Sequence, residues 1–225
     1  MRTKAVASPA AAAAEVRQAY AQDQRRLRLA LKRGLDLVVT TIALILLAIP
    51  AILIIIAIKL DSPGPVFFAQ KRVGFEGKLF TIYKFRSMVV DAELMKPNIN
   101  GRNEADGPLF KMKRDPRMTR VGRLLRRLSL DELPQLINVL LGDMSLVGPR
   151  PFLAAETENH DRWQRVRALA MPGMTGLWQV NGRSALPFER IVALDVRYVE
   201  EWSLFMDVKI ILRTIPAVLI GKGAY

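Results

Sequence analysis

In the stretch LLRRLSLDELPQL, residues 124 to 136, an Asp and a Glu stand side by side just after a run of Arg. Arg126 and Arg127 are cations that would keep a neighbouring Asp131 carboxylate ionised. An ionised Asp can attack phosphorus and form an acyl phosphate. Glu132 beside it can hold Mg²⁺, whose oxygen ligands commonly include one or two carboxylates and substrate phosphates. The local pattern offers a structural role as well. Asp131 is a good N-cap for a helix starting at Glu132, with Pro134 inside the first turn, where a missing N–H costs little. Ser129 is a rival cap with Glu132 in capping-box register, although that sets Pro134 deeper in the helix. Both roles use one geometry, because a helix N-terminus favours negative charge and offers N–H groups to a phosphate.

Little else in the chain can do this work. The 225 residues include no Cys and a single His, His160. Disulfides, Cys-based metal sites and multi-His metal sites within one chain are therefore excluded. Carboxylates, Lys, Arg and Tyr must carry any acid–base or metal chemistry. The formal charge of +13 asks for an anionic partner: nucleic acid, phospholipid or a phosphorylated substrate. No two Asp are separated by one residue, which argues against a D-x-D metal-dependent glycosyltransferase.

The elements that must place the acidic pair begin with an apolar segment. Val38 to Ile58 is 21 residues without a charge. As a helix it would be roughly 31 Å long, enough for a bilayer core of about 30 Å. Pro50 interrupts it, and the two halves of 12 and 8 residues are each too short to cross. Lys and Arg flank both ends, so both ends claim the cytoplasmic side. These residues allow either a kinked spanning helix or a re-entrant one. Beyond it, residues 62–88 predict two extended runs around a turn at Gly74 to Gly77. Residues 91–115 are polar and read mainly as loop. A helix over about Thr119 to Leu128 sets Val121, Leu124, Leu125 and Leu128 against a basic face of Arg120, Arg123, Arg126 and Arg127. That face is either solvated or set beside anionic headgroups or phosphates. A second helix covers about Glu132 to Leu141. Residues 153–170 look helical, 170–183 form a Gly-rich loop or short strand, and 188–219 are mostly helical and apolar.

Several blocks together carry a resemblance: KRGLDL (32 to 37), LDSPGPVFFAQKRVG (60 to 74), YKFRSM (83 to 88), the long run from Asp115 to Pro151, and PGMTGLWQVNGR (172 to 183). The chain resembles the bacterial sugar transferases, the monotopic phosphoglycosyl transferases that act on polyprenyl phosphate. It is similar to their short form, which lacks an extra multi-span N-terminal domain, and among these to the undecaprenyl-phosphate galactose or glucose phosphotransferases of exopolysaccharide synthesis. The resemblance implies that a UDP-hexose gives hexose-1-phosphate to undecaprenyl phosphate and releases UMP. It implies Asp131 as nucleophile and Glu132 as its partner, both at Mg²⁺, with Mn²⁺ as an alternative metal. It implies that Lys84, Arg86 and Arg150 bind the diphosphate or prenyl phosphate, that Arg126 binds substrate, and that Gly173, Gly176 and Arg183 approach the nucleotide closely. It also implies a re-entrant helix broken at Pro50. Related proteins often have Ser before that Pro, where this chain has Ile49.

The expected fold is α+β and mostly α: a broken re-entrant membrane helix, interfacial amphipathic helices and a small β-hairpin. The expected organisation is a disordered or fraying tail over 1–24, the N-terminal and re-entrant helix over 25–61, and a membrane-associated catalytic domain over 62–225. That domain should face the cytoplasm at a bacterial inner membrane. The partners implied are UDP-hexose, undecaprenyl phosphate, anionic lipids and downstream glycosyltransferases, with no nucleic acid. A homodimer and the identity of the sugar are left open. A non-catalytic, membrane-anchored scaffold that binds acidic lipid or nucleic acid also accounts for the charge and the apolar segment. It does not account for an acidic pair inside a basic site.

Overall fold

The computed structural model describes residues 9–99, 114–153 and 165–220, with 101, 103, 104 and 112 besides. The architecture is α+β and mostly helical, with two small two-stranded sheets. The chain divides into two units, residues 1–35 and 36–225. Among its described residues the first unit is helix. It is the N-terminal part of α1, Pro9–Asp61. The expected tail over 1–24 therefore falls partly on residues 1–8, outside the described residues, and is helical from Pro9 onward. His160 and most of the expected helix over 153–170 also lie outside the described residues.

In the second unit, α1 continues as one helix through Pro50. One stripe of it is packed. Val39, Ala43, Leu44 and Leu47 lie against the main core, and Ala51, Ile54, Ile55 and Ile58 against a second cluster with Phe85 and Leu125. This is the spacing that one helix face requires. The other face is bare: Ile45, Leu46, Ile49 and Leu53 are each more than 60% exposed. A core helix of a water-soluble domain would bury both faces. This helix is apolar enough to enter a membrane, with mean hydropathy 3.1, yet mostly unburied. Two carboxylates pin its packed stripe. Asp36 accepts from the Leu146 N–H at 3.1 Å, and Asp61 accepts from the Val121 N–H at 2.9 Å.

The expected hairpin is present. Strands β1 (Phe67–Val73) and β2 (Leu79–Phe85) pair antiparallel, with Phe67 opposite Phe85 and Val73 opposite Leu79. The turn between them uses left-handed backbone at Glu76 and Gly77. The segment expected to be mainly loop contains a short helix, α2 (Ala92–Ile99). Helix α3 (Arg120–Arg127) has Thr119 as N-cap, whose hydroxyl accepts from the Gly122 N–H at 2.9 Å.

Helix α4 begins later than the sequence suggested, at Gln135, and runs to Leu141. Asp131 is thus not its N-cap. It lies in a 3-10 turn, Leu130–Glu132, ahead of Pro134. The cause is Pro134 itself, which has no N–H to bond back to the preceding turn. The chain closes the approach with tighter bonds, Glu132 N–H to Ser129 and Leu133 N–H to Leu130.

Strands β3 (Ser145–Val147) and β4 (Gly173–Thr175) pair parallel. Helices α5 (Phe188–Glu201) and α6 (Leu204–Ile220) complete the domain. The main core joins Phe80 and Ile82 of β2, Leu136 and Val139 of α4, Val147 of β3, Tyr198 of α5 and Ile210 of α6. Asp207 binds the helices together: it accepts from the Tyr198 hydroxyl at 2.8 Å and from Trp202 Nε1 at 3.0 Å. Trp202 is accordingly a packing residue.

Candidate active site

The 3-10 turn sets the acidic pair on a buried ledge. Asp131 is 6% exposed. Glu132 is clamped by two cations. Lys84 Nζ donates to Glu132 Oε1 at 2.8 Å, and Arg150 donates to Oε1 at 2.6 Å and to Oε2 at 3.3 Å. Lys84 can reach because side chains alternate along β2, which puts it on the same face as buried Phe80 and Ile82. Arg126, in the last turn of α3, adds positive charge that acts on Asp131. Arg183 donates to Ser129 Oγ at 3.3 Å. Ser129 and Arg183 are two of only three non-glycine residues with left-handed φ among the described residues. Strain of this kind costs of order 1–3 kcal/mol and tends to collect at functional sites.

The two carboxylates are electrostatically unlike. Burial raises the Asp131 carboxyl above its ordinary value and the Glu132 charge pushes the same way, against Lys84, Arg126 and Arg150. Burial also pushes Glu132 up, but Arg150 and Lys84 outweigh it and hold this carboxyl well below the usual range. Glu132 is thus a fixed anion, and Asp131, the less solvated of the pair, has no ion-pair partner among the described residues.

Arg150 is placed from several sides. Arg72 donates to the Pro151 carbonyl at 3.3 Å, and the Val73 N–H donates to the Phe152 carbonyl at 3.0 Å. Arg167 donates to the Arg150 carbonyl at 2.7 Å and stacks its guanidinium 3.7 Å from the Phe152 ring centre. Arg167 in turn pairs with Asp195 of α5 at 2.7 Å. Burial pushes Asp195 up to about 6 in spite of that partner.

Of the residues singled out from sequence, Asp131, Glu132, Lys84, Arg126, Arg150 and Arg183 are gathered here. Arg86 is not. Its guanidinium donates to the Pro63 and Ser62 carbonyls, both at 2.7 Å, and so closes the exit of α1. Strand β2 ends at Phe85, so Arg86 no longer follows the alternation that aims Lys84. Gly173 and Gly176 have a packing role in the fold. A Cβ on either would collide with the backbone of Gly148, and one on Gly148 would collide with the backbone at Met171 to Gly173. Glycine is needed because β3 and β4 come together at the base of the segment that carries Arg150. Gly148→Ala is expected to cost at least about 2 kcal/mol by overpacking a site with no flexible neighbour. Thermal melts in detergent would show it, and an unchanged midpoint would mean that this close approach does not matter.

Sequence reasoning missed Asn138. Fully buried on α4, it accepts from the Tyr83 N–H at 3.2 Å and donates to the Thr81 carbonyl at 2.7 Å. It pairs with the free edge of β2 as a peptide group would, and so fixes the register of Lys84 against the acidic turn. The available signal was one amide between Leu136 and Val139 on the core face. Gln135, one turn after Asp131, was also missed. It is buried with its Nε2 unpartnered among the described residues.

Among the described residues no three His, Cys, Asp or Glu side chains gather as a metal cage. Asp131 and Glu132 nevertheless suit a hard divalent cation that takes one or two protein carboxylates and fills its remaining positions with phosphate oxygens and water. The arrangement as a whole brings four cations and two carboxylates together. Its net charge of about +2 fits a diphosphate, with a buried carboxylate as a candidate nucleophile.

A family model described as bacterial sugar transferase matches residues 27–221. The chain is 48% identical over 194 residues to the galactosyl transferase CpsE of Streptococcus agalactiae, covering 86% of this chain and 43% of that protein. It is 44% identical over 200 residues to the undecaprenyl-phosphate galactose phosphotransferase of Salmonella typhimurium, covering 87% and 42%. It is 41% identical over 199 residues to the exopolysaccharide production protein ExoY of Rhizobium meliloti, covering 86% and 88%. The chain therefore spans less than half the length of the first two relatives and most of the third.

Proposed function

We propose, from the premise that this chain belongs to the bacterial sugar transferase family, that it transfers hexose-1-phosphate from a UDP-hexose to undecaprenyl phosphate at the start of exopolysaccharide synthesis. The observation that carries the reading is the acidic turn. One carboxylate is buried and without an ion pair among the described residues, its neighbour is locked between Lys84 and Arg150, and the surrounding charge is positive. The relatives' names supply the substrate class: an undecaprenyl-phosphate galactose phosphotransferase and an undecaprenyl-phosphate glucose phosphotransferase.

The transfer takes two displacements. Asp131 Oδ attacks the sugar-side phosphorus of the donor. The P–O bond to the uridylyl phosphate breaks, UMP leaves, and a hexosyl-phosphoryl aspartate remains. A phosphate oxygen of undecaprenyl phosphate then attacks the same phosphorus and expels the Asp131 carboxylate, giving undecaprenyl diphosphate hexose. Both leaving groups are stable anions, so neither step needs a general acid, and the mechanism has no use for His160. Lys84, Arg126, Arg150 and Arg183 bind the anionic oxygens. Asp131 and Glu132 would hold Mg²⁺, or Mn²⁺ in its place, where the ion would neutralise charge on the donor diphosphate. The product is consumed by glycosyltransferases that extend a sugar on a prenyl diphosphate carrier.

The apolar helix belongs to the same reading. Its packed stripe runs from Val39 to Ile58 along the domain that carries Asp131. A span across the bilayer would drag part of that contact, with Asp36 just before it in α1, into hydrocarbon. A re-entrant path at Pro50 keeps both ends and the catalytic domain on the cytoplasmic face of the inner membrane, with the bare face of Ile45, Leu46, Ile49 and Leu53 in lipid and α3 near anionic headgroups. Single cysteines replacing Arg28 and Lys71 in this cysteine-free chain should react with an impermeant maleimide from the same side of sealed vesicles. Labelling from opposite sides would establish a spanning helix instead.

Incubation with undecaprenyl phosphate and a panel of UDP-sugars tests the function. UMP release with at least one hexose donor is expected. No release with any donor would return the chain to a binding role at the membrane.

A further inference from the structure

A second concave site shares no side chain with the acidic turn. A cavity of about 410 Å³ opens between α5, α6 and the turn over residues 177–186. Its inner wall is apolar and includes buried Leu194 and Ile210. Its rim is cationic, with Arg190, Arg197, Lys209 and Arg213 all exposed. Among the described residues no acidic side chain lines it. Glu201 meets Arg197 at 2.8 Å; Arg190, Lys209 and Arg213 show no acidic partner among the described residues.

Helical spacing explains how the cations converge. Arg190, Leu194 and Arg197 follow i, i+4, i+7 and form one stripe of α5. Lys209, Ile210 and Arg213 form one face of α6. The adjoining face of α6 carries Phe205, Leu212 and Ile215, which are 77%, 62% and 57% exposed. On the helical wheel Lys209 and Arg213 lie beside this bare stripe. The cavity therefore has a rim for a negative charge, an apolar wall for a chain, and a mouth beside a surface that water does not suit. A free phosphate would use only the rim. Long basic side chains at the border of an apolar surface characteristically hold their charge at headgroup depth while their stems cover hydrocarbon.

We propose that this cavity is a binding site for an anionic phospholipid, with the headgroup phosphate held by Arg190, Lys209 and Arg213 and an acyl chain laid over Leu194 and Ile210. The site is separate from the transfer chemistry and stands whether or not Asp131 is the nucleophile.

The test uses the full chain in phosphatidylcholine nanodiscs carrying a minor fraction of headgroup-photoactivatable phosphatidylglycerol, with crosslinked peptides mapped by mass spectrometry. Crosslinks are expected within residues 186–213. A doubly neutralised variant, Arg190→Gln with Arg213→Gln, should lose them roughly tenfold or more, since each cation near a membrane surface contributes a several-fold effect. The matching Arg190→Lys, Arg213→Lys variant should retain them, which separates lost charge from lost folding. Excess inorganic phosphate or UMP should not compete. Equal labelling by a photoactivatable phosphatidylcholine, undiminished labelling of the neutral variant, or competition by inorganic phosphate or UMP would each overturn the proposal.

Discussion

Asp131→Asn is expected to stop UMP release, with turnover reduced at least about 10³-fold, the scale seen when a covalent nucleophile is removed. The wild-type chain given UDP-hexose without acceptor should gain the mass of one hexosyl phosphate, and the variant should not. The same substitution should leave the protein as stable as before, or more so, at neutral pH. Burial raises the folded-state value of the Asp131 carboxyl above the ordinary one. Around and above the ordinary aspartate range, the folded chain therefore holds a proton that the unfolded chain has released. Stability from this group is full at low pH and declines as pH climbs through the folded value. Activity runs the other way, since only the ionised carboxylate attacks. The acid limb of the rate profile should consequently lie above the ordinary aspartate range. The difference in melting temperature between wild type and Asp131→Asn should grow from acid to neutral pH, with the variant higher. A variant that turns over at the wild-type rate would remove the proposed nucleophile, whatever the melts show.

The hairpin was legible because two extended runs flank a turn bounded by Gly74 and Gly77, and α3 because a short run sets apolar residues against a basic face. Asp131, Glu132, Lys84 and Arg150 were named in advance, yet their convergence was not derivable from spacing. Lys84 lies 48 positions from Glu132 along the chain and Arg150 lies 18 away. What brings them together is Asn138 on the edge of β2 and the glycine contact between β3 and β4. Both are side-chain-to-backbone or backbone-to-backbone matches, which leave almost no imprint on hydrophobic periodicity. Gly173 and Gly176 illustrate the ambiguity: a glycine allows close approach, but its sequence does not say whether a nucleotide or another strand approaches. Arg86 shows the complementary failure. Lys84 and Arg86 were expected to bind phosphate together, and the end of β2 at Phe85 separates them. The delayed start of α4 came from a Pro whose cost was judged small in a first turn, although the chain answered it by replacing that turn with a 3-10 one.

Glu132→Gln should do the opposite to stability. Its charge is the shared counterion of Lys84 and Arg150, which are 14% and 31% exposed. Breaking a buried ion pair from one side costs about 3–5 kcal/mol, because the remaining charge stays desolvated. Partial exposure of Arg150 reduces this, so about 2–4 kcal/mol is expected, read from chemical or thermal unfolding in detergent. The folded-state value of this carboxyl is depressed. Its stabilisation is therefore present above the ordinary glutamate range and lost as pH falls through the folded value. The melting difference between wild type and Glu132→Gln should narrow in acid, with the variant lower throughout. Adjacent carboxylates would thus carry stability effects of opposite sign at neutral pH, one strained for chemistry and one holding the cations in place. Turnover should also fall steeply in Glu132→Gln, because Lys84 and Arg150 lose the anchor that aims them at the donor diphosphate and the second carboxylate proposed for Mg²⁺ is gone. Raising the Mg²⁺ concentration should recover part of a binding loss but none of a positioning loss, so a turnover defect that persists at saturating metal assigns Glu132 to holding its cations. Wild-type stability and near-normal turnover in this variant would show that the double clamp on Glu132 supports neither the fold nor the reaction.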